Sequence, residues 1–438
     1  MVVKTKKTAA LTAVQSIDPD RWLDEFGALM DRIRPRFARY EPARHAAGLM
    51  LGLVSNLERK NCWTIAEKRG DVTPHGLQHM LSRASWDEAA VAADMRDYVV
   101  TAFADSDAVL VVDETGDLKK GVHSVGVQRQ YTGTAGRIEN AQVAVYLTYA
   151  AARGHALIDT ALYLPKSWTD DVPRRRRAGV PDDVEFATKP ALAQQMITDA
   201  LDAGASASWV AGDEVYGADS ALRRACQNRG IGYVLAVARN HHVVTAAQRV
   251  EELAAAMPRV GWQRLSAGAG SKGPRLYSWL LIDISSALPG HEWIMVRRND
   301  STQELAYYRC WSADPVPLRT LVGVAGRRWT IEESFQTAKG QAGLDEHQVR
   351  TWTSWRRWVI LSMLAMAFLA VTCANARDNM PAPQSLIPFT VNEIRRLFDK
   401  LILARTATDD TIWAWSLWRR KHQATARSCH YRRRSAQQ

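Results

Sequence analysis

The chain is poor in cysteine: five in 438 residues (Cys62, Cys226, Cys310, Cys373 and Cys429), scattered and with no Cys-x-x-Cys pair. That spacing argues against a disulfide framework or a structural zinc site and points to a reducing cytoplasm. A secretory signal is not expected either, because the stretch after Met-Val-Val-Lys-Thr-Lys-Lys is too short and weakly apolar. Long hydrophobic runs are scarce. The one candidate, Trp358 to Ala374, is flanked by Arg356, Arg357 and Arg377. It is at the short limit for crossing a bilayer, where roughly 20 apolar residues are usual. Ser362, Thr372 and its many alanines suit a tightly packed interior helix, so no membrane is expected as a partner. A membrane-associated protein stays as an alternative resting on this segment alone. Acids are the scarcer charge: lysine and arginine total 57 against 46, for a net charge of +11 and a pI near 9.5. The excess favours a polyanionic partner, nucleic acid or an acidic membrane surface. What is plentiful is apolar residue, 47%, enough to bury the cores of two to four domains.

Residues 20 to about 104 read as all helix, with apolar spacing in Trp22-Leu23-Phe26-Leu29-Met30 and Met50-Leu51-Leu53-Val54. Inside this stretch a short helix over 63–69, a turn at Gly70 and a helix started by Thr73-Pro74 suggest a helix-turn-helix; the bland alternative is a helical hairpin. From about 105 the pattern alternates. Strands are expected at 108–113, 141–149, 156–164, 207–213 and 231–238, and helices at 188–204 and 218–229. Three strands able to form a meander, then helix, strand, helix, strand, is the element order of an RNase H-like α/β fold. Strand-like runs at 262–265, 275–282, 293–296 and 305–308 form a β-rich insertion. The expected domains are therefore 1–104, helical and DNA-binding; 105–239, catalytic; 240–317, the β insertion; 318–380, the rest of the catalytic domain; and 381–438, a helical and basic C-terminal segment.

Three acids stand out in that frame. Asp113 closes the apolar run Ala108-Val-Leu-Val-Val112, and Asp213 closes Trp209-Val-Ala-Gly212 just before Tyr216-Gly217. Glu332 lies in a helical stretch, 327–339. Carboxylates from two strand ends and a helix can converge on a pair of divalent cations that activate a water or hydroxyl at a DNA phosphodiester. Helical phase selects Glu332 over Glu333: Arg328 lies about 40° and Lys339 about 20° from it at 100° per residue, and Glu333 points away. The two cations would hold phosphates on either side of the carboxylate. Arg419 and Arg420 sit in a C-terminal stretch of interleaved basic and aromatic residues suited to phosphate and base contacts. The run Arg174–Arg177 reads as an exposed loop. Trp279 and Trp293 fit sheet packing better than base stacking, and His123, His241, His242 and His347 read as surface or hydrogen-bonding residues without zinc spacing.

With these residues the chain resembles the DDE-type transposases of bacterial insertion sequences, in the branch with a β insertion and a Tyr-x-x-Arg-x-x-x-Glu-x-x-x-x-x-x-Lys helix. Arg328, Glu332 and Lys339 keep that spacing; the tyrosine position is Ala325, a departure that touches an end-phosphate contact. Val-Val-Asp-Glu-Thr-Gly (111–116), Lys119-Lys120-Gly121, Ser124–Tyr131 and Gly-Asp-Glu-Val-Tyr-Gly (212–217) also look like the family. The resemblance implies two Mg²⁺ ions, with Mn²⁺ as a substitute, bridged by Asp113 and completed by Asp213 and Glu332. It implies water and then 3′-hydroxyl attack on phosphodiesters, without a covalent protein–DNA intermediate. Lys119, Lys120, Arg129 and Arg350 join Arg328 and Lys339 as phosphate contacts. Double-stranded DNA (transposon ends and target), a homodimer on the ends and a cytoplasmic, nucleoid-associated location follow from it. The alternative is a catalytically silent, transposase-derived DNA-binding regulator.

Overall fold

The computed structural model describes residues 19–243, 248–270, 273–284, 289–379 and 387–403, with single positions 418, 425 and 429. They pack into two compact units, one of residues up to Asp94 together with those from Thr337 on, the other Met95–Gln336.

The chain begins in helices α1 (Pro19–Ile33), α2 (Tyr40–Val54), α3 (Cys62–Arg69), α4 (His75–Ser82) and α5 (Glu88–Phe103). Trp22, Phe26, Leu29 and Ile33 recur on one helical stripe of α1, and all are buried. Helix α3 starts on an Asn61–Thr64 capping box and ends at Gly70, whose φ of 75° closes the turn before α4. Two short helices joined by a turn are what both the helix-turn-helix and the helical-hairpin readings expect.

The second unit is built on a mixed sheet. Strands β1 (Val109–Leu118), β2 (Gln128–Thr132), β3 (Arg137–Ala150) and β4 (His155–Leu162) pair antiparallel about β3. Two short helices follow, α6 (Lys166–Thr169) and α7 (Val172–Ala178), then α8 (Lys189–Asp202), β5 (Trp209–Gly212), the single turn α9 (Glu214–Gly217), α10 (Ser220–Asn228) and β6 (Gly232–Val237). Strands β5 and β6 add in parallel to β1, so the order β4-β3-β1-β5-β6 is the RNase H-like arrangement. Past the small hairpin β7 (His242–Val243) and β8 (Gln248–Arg249) and helix α11 (Val250–Ala256), strands β9 (Gln263–Gly270), β10 (Gly273–Asp283), β11 (His291–Arg298) and β12 (Leu305–Ser312) follow. They extend the same sheet, with β12 antiparallel to β6. Beside that junction Arg309 of β12 pairs with Glu292 of β11 at 3.1 Å, and across it the Tyr233 hydroxyl of β6 donates to Glu292 at 3.3 Å. Val250, Ala254, Leu280, Ile282, Ile294 and Val296 form the insertion's own core. Helices α12 (Leu318–Arg327) and α13 (Trp329–Ala342) come next.

Helices α14 (Trp352–Asn379) and α15 (Val391–Leu401) complete the first unit. The most apolar 18-residue stretch of α14 is 94% buried, as a helix apolar on all sides must be when it forms a core. The Phe26, Phe368 and Phe398 rings meet at 5.4–6.5 Å and join α1, α14 and α15.

Two expectations are corrected. Arg174–Arg177 form helix α7, not a loop, because Asp171 caps the Arg174 N–H and Gly179 (φ 67°) accepts the left-handed end. Arg174 stacks on Trp168 at 3.8 Å and Arg175 donates to the carbonyls of Pro181 and Asp182, leaving Arg176 and Arg177 exposed. His347 is 4% exposed, so it is not a surface residue, whereas His241 is partly exposed and His123 and His242 are exposed. Trp279 and Trp293 are buried in the sheet, as expected.

Candidate active site

Strand register brings the first two acids together. Strands β1 and β5 pair in parallel as Val109↔Trp209, Leu110↔Val210 and Val111↔Ala211. Asp113, still on β1, and Asp213, the first residue after β5, each stand two positions past the last pair of that ladder. Beta-branched and apolar residues make the strands, and the chain then turns at Asp213, whose carboxylate accepts the Val215 N–H at 2.9 Å and caps α9. Gly217 closes that turn flat against β6: a Cβ there would stand 1.8 Å from the Ala236 carbonyl oxygen.

The electrostatics are those of a crowded anionic pair. Burial, the neighbouring Asp213 and Glu114 push the Asp113 carboxyl up to about 8 against the opposing pull of Arg328, whose Nη1 lies 3.5 Å from Oδ2. Burial and Glu114 raise Asp213 as well, while the Val215 and Tyr216 N–H groups and Arg328 lower it. Two hard oxygen donors that repel each other, with a single guanidinium beside them, fit a hard divalent cation.

Glu332 is partly exposed on α13, one turn after Arg328. Phe335, on the same stripe, packs edge-on against Tyr146 at 5.4 Å, and Tyr146 sits directly across the ladder from Asp113. The stripe of Arg328, Glu332 and Phe335 thus faces the Asp113 row of the sheet. Among the described residues, however, no three His, Cys, Asp or Glu side chains gather closely enough to hold one ion. Glu333 belongs to the neighbouring stripe: it is 54% exposed and pairs with His155 Nε2 at 3.3 Å, which lowers its carboxyl. His155 Nδ1 also lies 2.9 Å from Ser334 Oγ.

From Asp213 a cleft of about 1010 Å³ runs along β6, β12, β10 and β9 to the start of α13. Arg239, Arg297, Arg328, Tyr277, Trp329 and Ala325 are among its lining. Arg297 lies over the Tyr277 ring at 4.8 Å, and Trp329 is 52% exposed. Ala325, the departure noted in the sequence, places a methyl group in this wall where the resemblance has a tyrosine.

The other basic residues are placed as follows. Lys120 and Arg129 are exposed at the far end of β1 and on β2; Lys119 is largely covered, 3.9 Å from Asp117. Lys339 is partly exposed on α13, and Arg350 is exposed in the segment after it. Arg419 and Arg420 lie outside the described residues.

Sequence reasoning missed Glu114. It accepts from Lys189 Nζ at 2.5 Å and from the Tyr216 hydroxyl at 2.7 Å. Burial and Glu114 push the Tyr216 phenol well above its ordinary value, so it remains a donor. The doubled acid at 113–114 was the available signal, but the partners lie 75 and 102 residues away.

The sequence profile of a family of DDE superfamily endonucleases matches residues 32–280, more than half of the chain. The chain belongs to that DDE superfamily endonuclease family. The match includes Asp113 and Asp213 and ends before Glu332. A probable transposase for the insertion sequence element IS701 of Microchaete diplosiphon is 26% identical over 226 residues, 51% of this chain. That match covers 55% of the relative, so the chain spans about half of the length of the curated relative it matches. Both findings bear out the resemblance to DDE-type insertion-sequence transposases. A cryo-EM structure of the piggyBac transposase synaptic complex with hairpin DNA is similar over 91% of this chain and 84% of that one, at 10% identity and a TM-score of 0.43.

Proposed function

We propose that this protein is an insertion-sequence transposase that cuts and rejoins DNA phosphodiesters, with Asp113, Asp213 and Glu332 as its catalytic carboxylates. The observation that supports the reading is that Asp113 and Asp213 follow closely on the ends of paired parallel strands and repel each other electrostatically, inside a DDE endonuclease family match. The three carboxylates would hold divalent ions, Mg²⁺ or Mn²⁺, which supply the charge that makes a water or a 3′-hydroxyl nucleophilic near neutral pH. Asp113, buried, fixes where that charge sits. Arg328, 3.5 Å from Asp113, would turn to a DNA phosphate when the end is bound. The aromatic and basic wall of the cleft, with Tyr277, Arg297 and Trp329, orients the DNA end leading into the site. Lys119, Lys120, Arg129, Lys339, Arg350, Arg419 and Arg420 are proposed as phosphate contacts, and helices α3 and α4 as a double-stranded DNA-binding element. Two copies acting on paired ends would give a homodimer in the end-bound complex.

The test is cleavage of a labelled duplex carrying the DNA that flanks the gene. The expected result is strand cleavage leaving a 3′-hydroxyl, then joining to a second duplex, in Mg²⁺ and none in EDTA. Cleavage that proceeds unchanged in EDTA would contradict the reading.

A further inference from the structure

The first two carboxylates are each followed by a second acid, Glu114 after Asp113 and Glu214 after Asp213. Glu214 is exposed, but Glu114 is spent inside the sheet. Successive strand residues point to opposite faces, so Glu114 turns away from the Asp113 side of β1. It receives two strong hydrogen bonds there: Lys189 Nζ at 2.5 Å, from the first turn of α8, and the Tyr216 hydroxyl at 2.7 Å, from the turn after Asp213. Tyr216 is fully buried, and its ring is fixed by the Gly217 backbone lying flat on β6. The β1–β5 ladder itself ends at Val111↔Ala211, two residues short of the acids. Beyond that point no backbone pairing between β1 and β5 sets the separation of Asp113 and Asp213. The side-chain bridge Glu114–Tyr216 spans this gap, joining the residue after Asp113 to the third residue after Asp213. Lys189 offsets the charge that Glu114 adds beside two carboxylates already in repulsion.

We propose that Glu114 is a positioning residue: with Tyr216 and Lys189 it clamps β1 to the turn after β5, beyond the end of their mutual ladder, so that Asp113 and Asp213 stay at the spacing a divalent cation requires. This rests on the reading of Asp113 and Asp213 as metal-holding carboxylates. Outer-shell partners of this kind typically change metal affinity roughly 10–100-fold.

The experiment is Mn²⁺ binding to the full-length protein, without DNA, by electron paramagnetic resonance and calorimetry, well below the melting temperature of every variant. D113A reports on the underlying reading, and E114Q, Y216F and E114Q/Y216F report on the clamp. The expected result is loss of binding in D113A and about tenfold weaker binding in both Y216F and E114Q. The double variant should be scarcely weaker than either, because both changes break one bridge. Y216F keeps the ring and its packing, so a purely structural role would lower the melting temperature without weakening Mn²⁺ binding. Affinities of E114Q and Y216F within twofold of the parent overturn the proposal. Loss in E114Q with none in Y216F also overturns it, because Glu114 would then be a ligand and not a clamp. Unchanged binding in D113A would sink both the metal reading and the clamp that depends on it.

Discussion

At the scale of single residues, the choice between Glu332 and Glu333 rests on which stripe of α13 faces the sheet. Glu332 shares its stripe with Arg328, which reaches Asp113, and with Phe335, which packs on Tyr146. Glu333 is held by His155 on the neighbouring stripe, although it also lines the cleft that runs from Asp213. Cleavage by E332Q is therefore expected to fall at least about 100-fold, while E333Q keeps activity within a few-fold, measured as initial rates on one end-bearing duplex. The opposite ranking would move the third acid to Glu333. A second residue-scale prediction concerns Lys60, which is 3% exposed with its Nζ donating to the Gln341 carbonyl at 2.9 Å. Burial and Arg395 push its ammonium down from 10.5 to about 8. The folded pKa is the lower one, so between about 8 and 10.5 the unfolded chain binds more protons and stability rises with pH. In K60M that rise should be shallower by close to one proton in denaturant titrations across the same window. An identical slope in parent and variant would count against a buried, depressed Lys60. The residue scale also shows why Asp113 and Asp213 were legible in the sequence: each terminates an apolar run. Glu114 was not, because its bonds are made to residues far along the chain.

At the scale of elements, the core strands were legible because short apolar runs alternate with capped helices. Observed β1, β3, β4, β5 and β6 fall on the expected runs within a few residues, although β1 and β3 extend well beyond them as a polar, exposed hairpin with β2. That extension carries no apolar periodicity to announce it. Helix α7 was hidden for a different reason: four consecutive arginines read as solvated chain, whereas their folding is set by the flanking Asp171 cap and Gly179. The β insertion was legible as strands, but its attachment to β6 is a pairing 70 or more residues apart in sequence. The Glu292–Arg309 pair lies at that seam, with both side chains about one-seventh exposed (14% and 13%). Removing one partner leaves an uncompensated charge, so E292A is expected to destabilise the protein by roughly 3 kcal/mol. E292A/R309A should cost less than the sum of the single changes in chemical denaturation. A strictly additive pair would show that the seam does not depend on this contact.

At the scale of the whole molecule, the proposed action on DNA by a chain of net charge +11 implies binding through counterion release. Affinity is expected to fall steeply between about 50 and 200 mM salt. Arg176 and Arg177 are exposed on α7, unlike Arg174 and Arg175, so R176E/R177E tests whether that helix contributes. If α7 touches phosphate, the log–log salt slope should fall by about two; an unchanged slope would assign α7 a scaffold role alone. The central claim is narrower than DNA binding: Asp113 and Asp213 form one site on which strand cleavage depends. The most direct measurement is Mg²⁺-dependent cleavage of end-bearing DNA by the parent, D113N and D213N at matched DNA occupancy. The account predicts that both variants bind the DNA and that each loses cleavage by about 1000-fold or more. Cleavage by either variant at a rate near that of the parent would contradict it.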